Sequence, residues 1–432
     1  MSGKIIELTP RPEPIGHFIR IGGNGHRQLE TLQGSGKLQL DRVVADAASF
    51  KAQKDLLGSL RNSGTEITLD TRIAELSEVG SYVQSAQWLS CVERSRPLIP
   101  ADFAGDRSDR IVAEIAEFAI RNAFDAVLAP SHFVTDARNP WWPIDIKLCQ
   151  HLRRALDQMG GAHVRIDYPL ITTYRSLREP EQRRAFIAVM NDLPYSNLWL
   201  RISGFGADAT GIAVRRSISA IADLHSIRRP IVADHVGGLV GLALVAFGAT
   251  GAVAHGVAEK ERFAGQQWLS PKPKGGGGHV GRIYIRALDR YFKIDDAQQL
   301  MELGSARRLL ACADRDCCPL GVEDTFKNPK GHFLTQRSSQ LADLSRIHES
   351  RRVDRFLNHH LAQAARIARQ AARLSPNSPS LARVLLENTV RIDLMRAILE
   401  DLQQTIGHDY SRSRAPRRQD QLGGEKDGMG RR

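Results

Sequence analysis

Residues 312–334 read CADRDCCPLGVEDTFKNPKGHFL, and the residue types there are those of metal chemistry. Cys312, Cys317 and Cys318 are three of the chain's five cysteines, and His332 closes the same stretch. Three thiolates and one imidazole make a closed tetrahedral Cys3His set for a structural Zn2+, and Pro319 and Gly321 turn the chain tightly between the ligands. The spacing departs from Cys-x2-Cys because two ligands are adjacent, and His348 or His359 stands in reserve for His332. A vicinal disulfide, rare in a reducing compartment, and buried free thiols are the other readings of these residues.

A second set of residues closes short apolar runs. It comprises Asp46, Asp70, His132, Asp167 with Tyr168, Arg201 with Ser203, Asp234 with His235, His255, and Arg286. A single aspartate in such a place is often a helix N-cap. Several carboxylates and imidazoles meeting in one pocket shift one another's pKa, as acid/base and nucleophilic sites require. Two reaction classes fit. In glycosyl transfer one of Asp70, Asp167 and Asp234 attacks carbon while another moves the proton. In metal-assisted hydrolysis His132, His235 and His255 hold a divalent ion that activates water. The second class often carries two histidines separated by one residue on a first strand, a pattern missing here.

The elements that must position these residues show in the hydrophobic pattern. Apolar runs occur at 42–50, 66–71, 125–133, 163–171, 197–206, 230–238, 250–256 and 281–292, with amphipathic segments such as 111–124, 146–161 and 212–228 between them. Near-continuous apolar strands alternating with helices predict a parallel sheet covered on both faces, and eight such units predict a (β/α)8 TIM barrel of the α/β class. A doubly wound sheet would carry a glycine-rich phosphate loop after its first strand. VVADAASF has none, and PKPKGGGGHVG (271–281) lacks the P-loop ending and reads as a mobile loop over the barrel. From about 335 onward the spacing of Leu341, Leu344, Ile347, Phe356, Leu357, Leu361 and Ile367 is helical. The predicted organisation is an N-terminal extension (1–40), the barrel (41–305), a zinc-binding loop (306–340), a helical module (341–408) and a disordered basic tail (409–432).

At 432 residues, 42% hydrophobic and 25% charged, the chain has an ordinary globular composition. Its net charge of +12 favours polyanionic partners, RNA or DNA foremost. The N-terminus shows no apolar signal segment, and the long apolar run 237–256 is interrupted by glycines, so it reads as core rather than as a membrane span. Few cysteines point to a reducing, cytoplasmic setting. A barrel with an exposed helical module would suit a homodimer.

The order barrel, cysteine loop and histidine at the head of a helix resembles the tRNA-guanine transglycosylase-like superfamily. CCP (317–319) followed by HFLTQRSSQLADLSRI (332–347) looks like that family's cysteine–proline turn and ligand histidine. GGLVG (237–241) is similar to its base-contacting glycine-leucine-glycine loop, and Asp70 to its acid/base aspartate. The resemblance implies a TIM-barrel transferase exchanging a nucleobase in nucleic acid, with structural Zn2+ on Cys312, Cys317, Cys318 and His332. It also implies Asp234 or Asp167 as nucleophile and Asp70 as acid/base. Gly237, Gly238 and Leu239 would read the base, Tyr168 or Phe205 would stack on it, and Arg201, Ser203, His235 and His255 would line the substrate site. The family's Asp-x-Phe-Asp motif has no counterpart late in the barrel, where the chain reads AVAHG and RIYIRALDRYF. Two further functions remain open: a metal-dependent hydrolase or lyase on a small substrate, and a non-catalytic nucleic-acid-binding barrel.

Overall fold

The computed structural model describes residues 16–414 except 24, 37, 39, 81–87, 92–95, 258–260 and 271–280, with backbone alone from 406 onward. Eight parallel strands close into a ring: β1 (Gly16–Arg20), β2 (Arg42–Asp46), β3 (Glu66–Asp70), β4 (Ala126–Leu128), β6 (Arg165–Thr173), β7 (Asn197–Ser203), β8 (Ile231–Asp234) and β9 (Ala252–Gly256). β5 (Phe133–Val134) lies between β4 and β6 in the chain and pairs only with the end of β6. Ring closure comes from β1, which pairs with β2 on one side and β9 on the other, and from β4 pairing with β6. The fold is the expected TIM barrel.

The ring is assembled from a different set of strands than the apolar runs predict. Its first strand is GHFIR, inside the expected N-terminal extension. The run 281–292 forms instead an antiparallel hairpin of β10 (Arg282–Ile285) and β11 (Arg290–Lys293) outside the ring. The reversal is made by a short turn that ends at Asp289, whose φ of 46° is left-handed. The eighth apolar run is therefore two strands folded back on each other, and the barrel spans Gly16 to Gly256.

Side chains alternate across each strand. Phe18, Val44, Leu128, Trp199, Val232, Ala252 and Ala254 form a separate apolar cluster filling the ring. The intervening residues, such as Ile19, Val43, Ile67 and Leu200, join the larger core between strands and helices. Polar residues lie above and below the inner cluster, and they decide where chemistry can occur.

After the hairpin the chain is helical: 294–302, 304–310, 322–327, 329–345 and 349–371, the last with a π-turn at Phe356–Leu361. A final helix, Pro379–Arg414, packs on helix Gly211–Leu224 and on Ala362–Ala371. Arg391 of that helix donates to the carbonyls of Ala207 and Asp289, and Asn388 to that of Leu288, joining it to the barrel. The helix runs into the expected tail as far as Arg414, and 415–432 lie outside the described residues, as does 271–280 of the expected loop. Among the described residues no helix is long and apolar enough to cross a membrane.

Candidate active site and metal centre

The upper layer of the barrel, at the carboxyl ends of the strands, is ionic. Arg20, closing β1, donates from Nε and Nη2 to both carboxylate oxygens of Asp234 (2.6 and 2.7 Å) and from Nη1 to Asp70 (2.5 Å). Arg201 donates from Nε to Asp234 (2.8 Å) and reaches Asp70 at 3.4 Å. Asp70 also accepts the Arg72 backbone N–H (2.8 Å). Strands far apart in sequence thus place two carboxylates and two guanidiniums in one layer.

Burial alone would raise both carboxyl groups. The neighbouring Arg20 and Arg201 outweigh it, lowering Asp70 to about 2 and Asp234 further still. Asp46 goes the other way: burial raises it, the nearest cation being Arg72 at 3.5 Å, with Asp70 adding repulsion. One mouth therefore holds two carboxylates pushed down and one carboxyl group pushed up.

An apolar lid covers this layer. Ala74, Phe133, Ile171 and Phe263 pack together with Trp268 against them. Beneath it Asp234 is fully buried, while the side chains of Asp46, Arg72 and His235 keep 13, 21 and 16% of their exposure. His235 stands beside the site in a left-handed conformation (φ 59°), Nε2 4.0 Å from Asp234. Ser203 is buried at the end of β7 and bridges to Phe263.

Other predicted site residues lie elsewhere. Asp167 belongs to the opposite, amino-terminal end of the ring. It accepts from Arg42 (2.6 Å), Asn197 (2.8 Å) and the Trp199 indole (3.0 Å), and burial raises its pKa against Arg42. The reason is that β6 does not stop at Asp167 but continues through Pro169 to Thr173. Tyr168 consequently points outward and packs on Trp142 and Tyr195, and Phe205 stacks on Tyr174. Neither ring is placed to stack on a base.

His255 also faces outward, its Nε2 2.9 Å from that of His17, and its ring against Phe333. His132 is fully buried beside Trp141 (3.8 Å between ring centres), its Nδ1 2.5 Å from Asp145. His132, His235 and His255 therefore do not converge on one ion. Arg286, expected at the mouth, sits on the hairpin turn beyond the ring.

The GGLVG loop opens helix Gly238–Ala246, and its amides already have anions. Gly238 N–H donates to Glu261 (3.1 Å) and Leu239 N–H to Asp289 (3.0 Å). A Cβ on Gly237 would fall 1.8 Å from Glu261 Oε1, which explains a glycine there. Arg337 ties both carboxylates together, at 2.7 and 2.9 Å to Glu261 and 3.1 Å to Asp289, with the Tyr284 hydroxyl at 2.6 Å. The positive end of this helix is neutralised from within, so the loop does not offer free donors to a base. Among the sequence-distant partners, Arg20 and Arg337 went unsuspected. Only the alternation of GHFIR ahead of IGG, a strand followed by a turn, signals the former.

The cysteine loop assembles as expected. The ligand atoms of Cys312, Cys317, Cys318 and His332 all lie within 4.8 Å of one another. Cys317 and Cys318 sulfurs are 3.7 Å apart, and each is 3.4 Å from His332 Nδ1. A zinc tetrahedron with bonds of about 2.3 Å to sulfur and 2.0 Å to nitrogen has edges of roughly 3.8 and 3.5 Å. The set fits Zn2+. Hydrogen bonds shared with Cys312 and each other push the Cys317 thiol up and the Cys318 thiol down. His332 rides at the head of helix Pro329–Ser345, which Asn328 caps by accepting the Gly331 N–H (3.0 Å).

No protein-family model matches the sequence, and no curated protein does. Solved structures match at low identity. A GH26 β-mannanase from Bacteroides ovatus is 10% identical over 60% of this chain and 85% of its own, with a TM-score of 0.37. A type I 3-dehydroquinate dehydratase from Clostridium difficile is 11% identical over 60% and 89%, with a TM-score of 0.36. A GH18 chitinase from Pseudoalteromonas aurantia is 10% identical over 57% and 94%, with a TM-score of 0.37. The chain is a TIM-barrel protein with a C-terminal helical region. Its four cysteine-loop ligands are close enough to hold a metal.

Proposed function

We propose that the chain is a zinc-stabilised barrel enzyme that acts on the glycosidic bond of a nucleobase in RNA or DNA, by base exchange or related glycosyl chemistry. The observation that carries this reading is the mouth layer, in which Asp70 and Asp234 are held ionised by Arg20 and Arg201 beside Asp46, whose carboxyl burial pushes up. Carboxyl groups whose pKa values are pushed apart are how one site supplies both a fixed anion and a proton donor. Asp46 moves the proton, in place of Asp70, whose arginine partners leave it a poor acid. Asp234 faces the anomeric carbon as nucleophile or as the anion that steadies its positive charge. Reaching it requires Trp268 and Phe263 to swing aside. Exposed Arg138, Arg175, Arg178 and Arg216, in the segments that follow β5, β6 and β7, would give a nucleic acid its phosphate contacts.

The test is incubation of the full chain with tRNA, other RNA or DNA and each labelled base, scoring incorporation or release. Turnover that falls at least about a hundredfold in Asp234→Asn and loses its acid limb in Asp46→Asn supports the proposal. Absence of turnover with every base and polymer overturns it. The complete ion pairing of Asp70 and Asp234 favours a second reading, a barrel that binds nucleic acid without catalysis; salt-dependent binding with no turnover is its signature.

A further inference from the structure

A cavity of about 280 Å³ lies between the β10–β11 hairpin, the cysteine loop and the C-terminal helices. It lies outside the ring, with Leu239 of the helix that follows β8 among its lining residues. Most of its wall is apolar, with Ile283, Ile285, Met301, Leu310 and Ile367 among the lining residues. An engineered apolar cavity of roughly 150 Å³ accommodates benzene, so this one has room for a ring with a short arm.

The rest of the wall is polar, with Arg286, Asp314, Gln336, Gln340 and His360 among its residues. Arg286 is half-buried, and among the described residues its guanidinium has only a neutral partner, Oε1 of Gln336 at 2.6 Å, and no carboxylate within ion-pair reach. The cavity's single acidic lining residue, Asp314, is turned to its own loop. Its Oδ1 accepts from the N–H groups of Asp316 (3.0 Å) and Cys317 (3.1 Å), and its Oδ2 from Gln336 Nε2 (3.3 Å). Of the neighbouring basic groups, Arg337 pairs with Glu261 and Asp289, and the His360 imidazole meets Asp343 at 2.9 Å. An arginine partly withdrawn from water, on a cavity wall with no carboxylate turned toward it, is placed to take an anion there.

We propose that this cavity binds a small carboxylic acid with an apolar body, its carboxylate on Arg286 and its body against Ile283, Ile285 and Met301. Gln336 links the site to the metal centre, since the side chain that accepts from Arg286 also donates to Cys312 Sγ at 3.6 Å. The site is independent of the chemistry at the barrel mouth.

Phenylacetate and its neutral counterpart phenylacetamide are the probes, titrated into the full-length, metal-loaded chain by calorimetry and by methyl NMR of labelled methionine. Saturable phenylacetate binding that shifts the Met301 methyl is expected, with phenylacetamide at least about tenfold weaker. Arg286→Met should erase that preference while metal content and unfolding temperature hold. Ile283→Trp, which fills the cavity and keeps the charge, should abolish binding of both. Absence of saturable phenylacetate binding at millimolar concentration, equal affinity for the two probes, or binding that leaves Met301 unmoved each overturns the proposal. The last three readings use the unmodified chain and do not depend on any variant folding.

Discussion

The barrel mouth and the cysteine loop solve one electrostatic problem in opposite ways. Both crowd potential anions into a space shielded from water. In the mouth the chain supplies the cations itself, and Arg20 and Arg201 hold Asp70 and Asp234 ionised. In the loop the thiols lean on one another and on His332. The first layer supplies its own countercharge; the second gathers three thiols and an imidazole close enough to hold a dication. A buried cluster of acids is thus evidence for a metal only where the chain has left the countercharge out.

The comparison breaks most visibly at the loop. Cys317→Ala with Cys318→Ala should lose about one zinc per chain by elemental analysis and destabilise the module by several kcal/mol, because metal binding free energy is folding free energy there. Chelator should reproduce the loss in the unmodified protein and leave the double variant unaffected. In the mouth, Asp234→Ala leaves two guanidiniums buried beside a single carboxylate, and denaturant unfolding should show a cost of about 3–5 kcal/mol with no change in metal content. Replacing Arg20 by Met in the same chain should return part of that cost.

A smaller effect is expected from acid. Asp70 has a folded pKa of about 2, below its unfolded value near 4, so its contribution is fully present above pH ~4. It is lost as the pH falls from there toward 2, a change of about 2 kcal/mol. Asp70→Asn should flatten that part of the stability curve. The smallest effect is expected from Asp46→Asn, where a raised carboxyl loses little by becoming neutral; stability should move by less than about 1 kcal/mol. That near-silence makes it the cleaner probe of turnover.

How much of this was legible depended on distance along the chain. The cysteine set could be read directly because all four ligands fall within one short stretch. The fold class was legible because alternating strands and helices leave a periodic trace. The ring's membership was not. Gly16–Arg20 is too short and glycine-flanked to stand out, while RIYIRALDRYF carries the apolar content of a strand and hides a reversal at Asp289. Asp167 was misplaced because it reads as the polar end of the run 163–171, whereas β6 carries on through Pro169, which faces Trp199 in register, to Thr173. The bonds from Arg20 to Asp70 and Asp234 span 50 and 214 residues and leave no local pattern at all.

Arg337 carries a consequence for how the protein is made. The ring's last strand ends at Gly256, yet the helix that follows Asp234 is held at its amino end through Glu261 and Asp289 by an arginine far downstream, on the helix headed by His332. A chain leaving the ribosome has every barrel strand in hand long before that anchor emerges. Its newborn barrel must wait, with one helix unpinned and a set of acids unanswered, until the metal-binding segment arrives. With zinc bound as proposed, metal supply would bear on the yield of finished protein as well as on its durability.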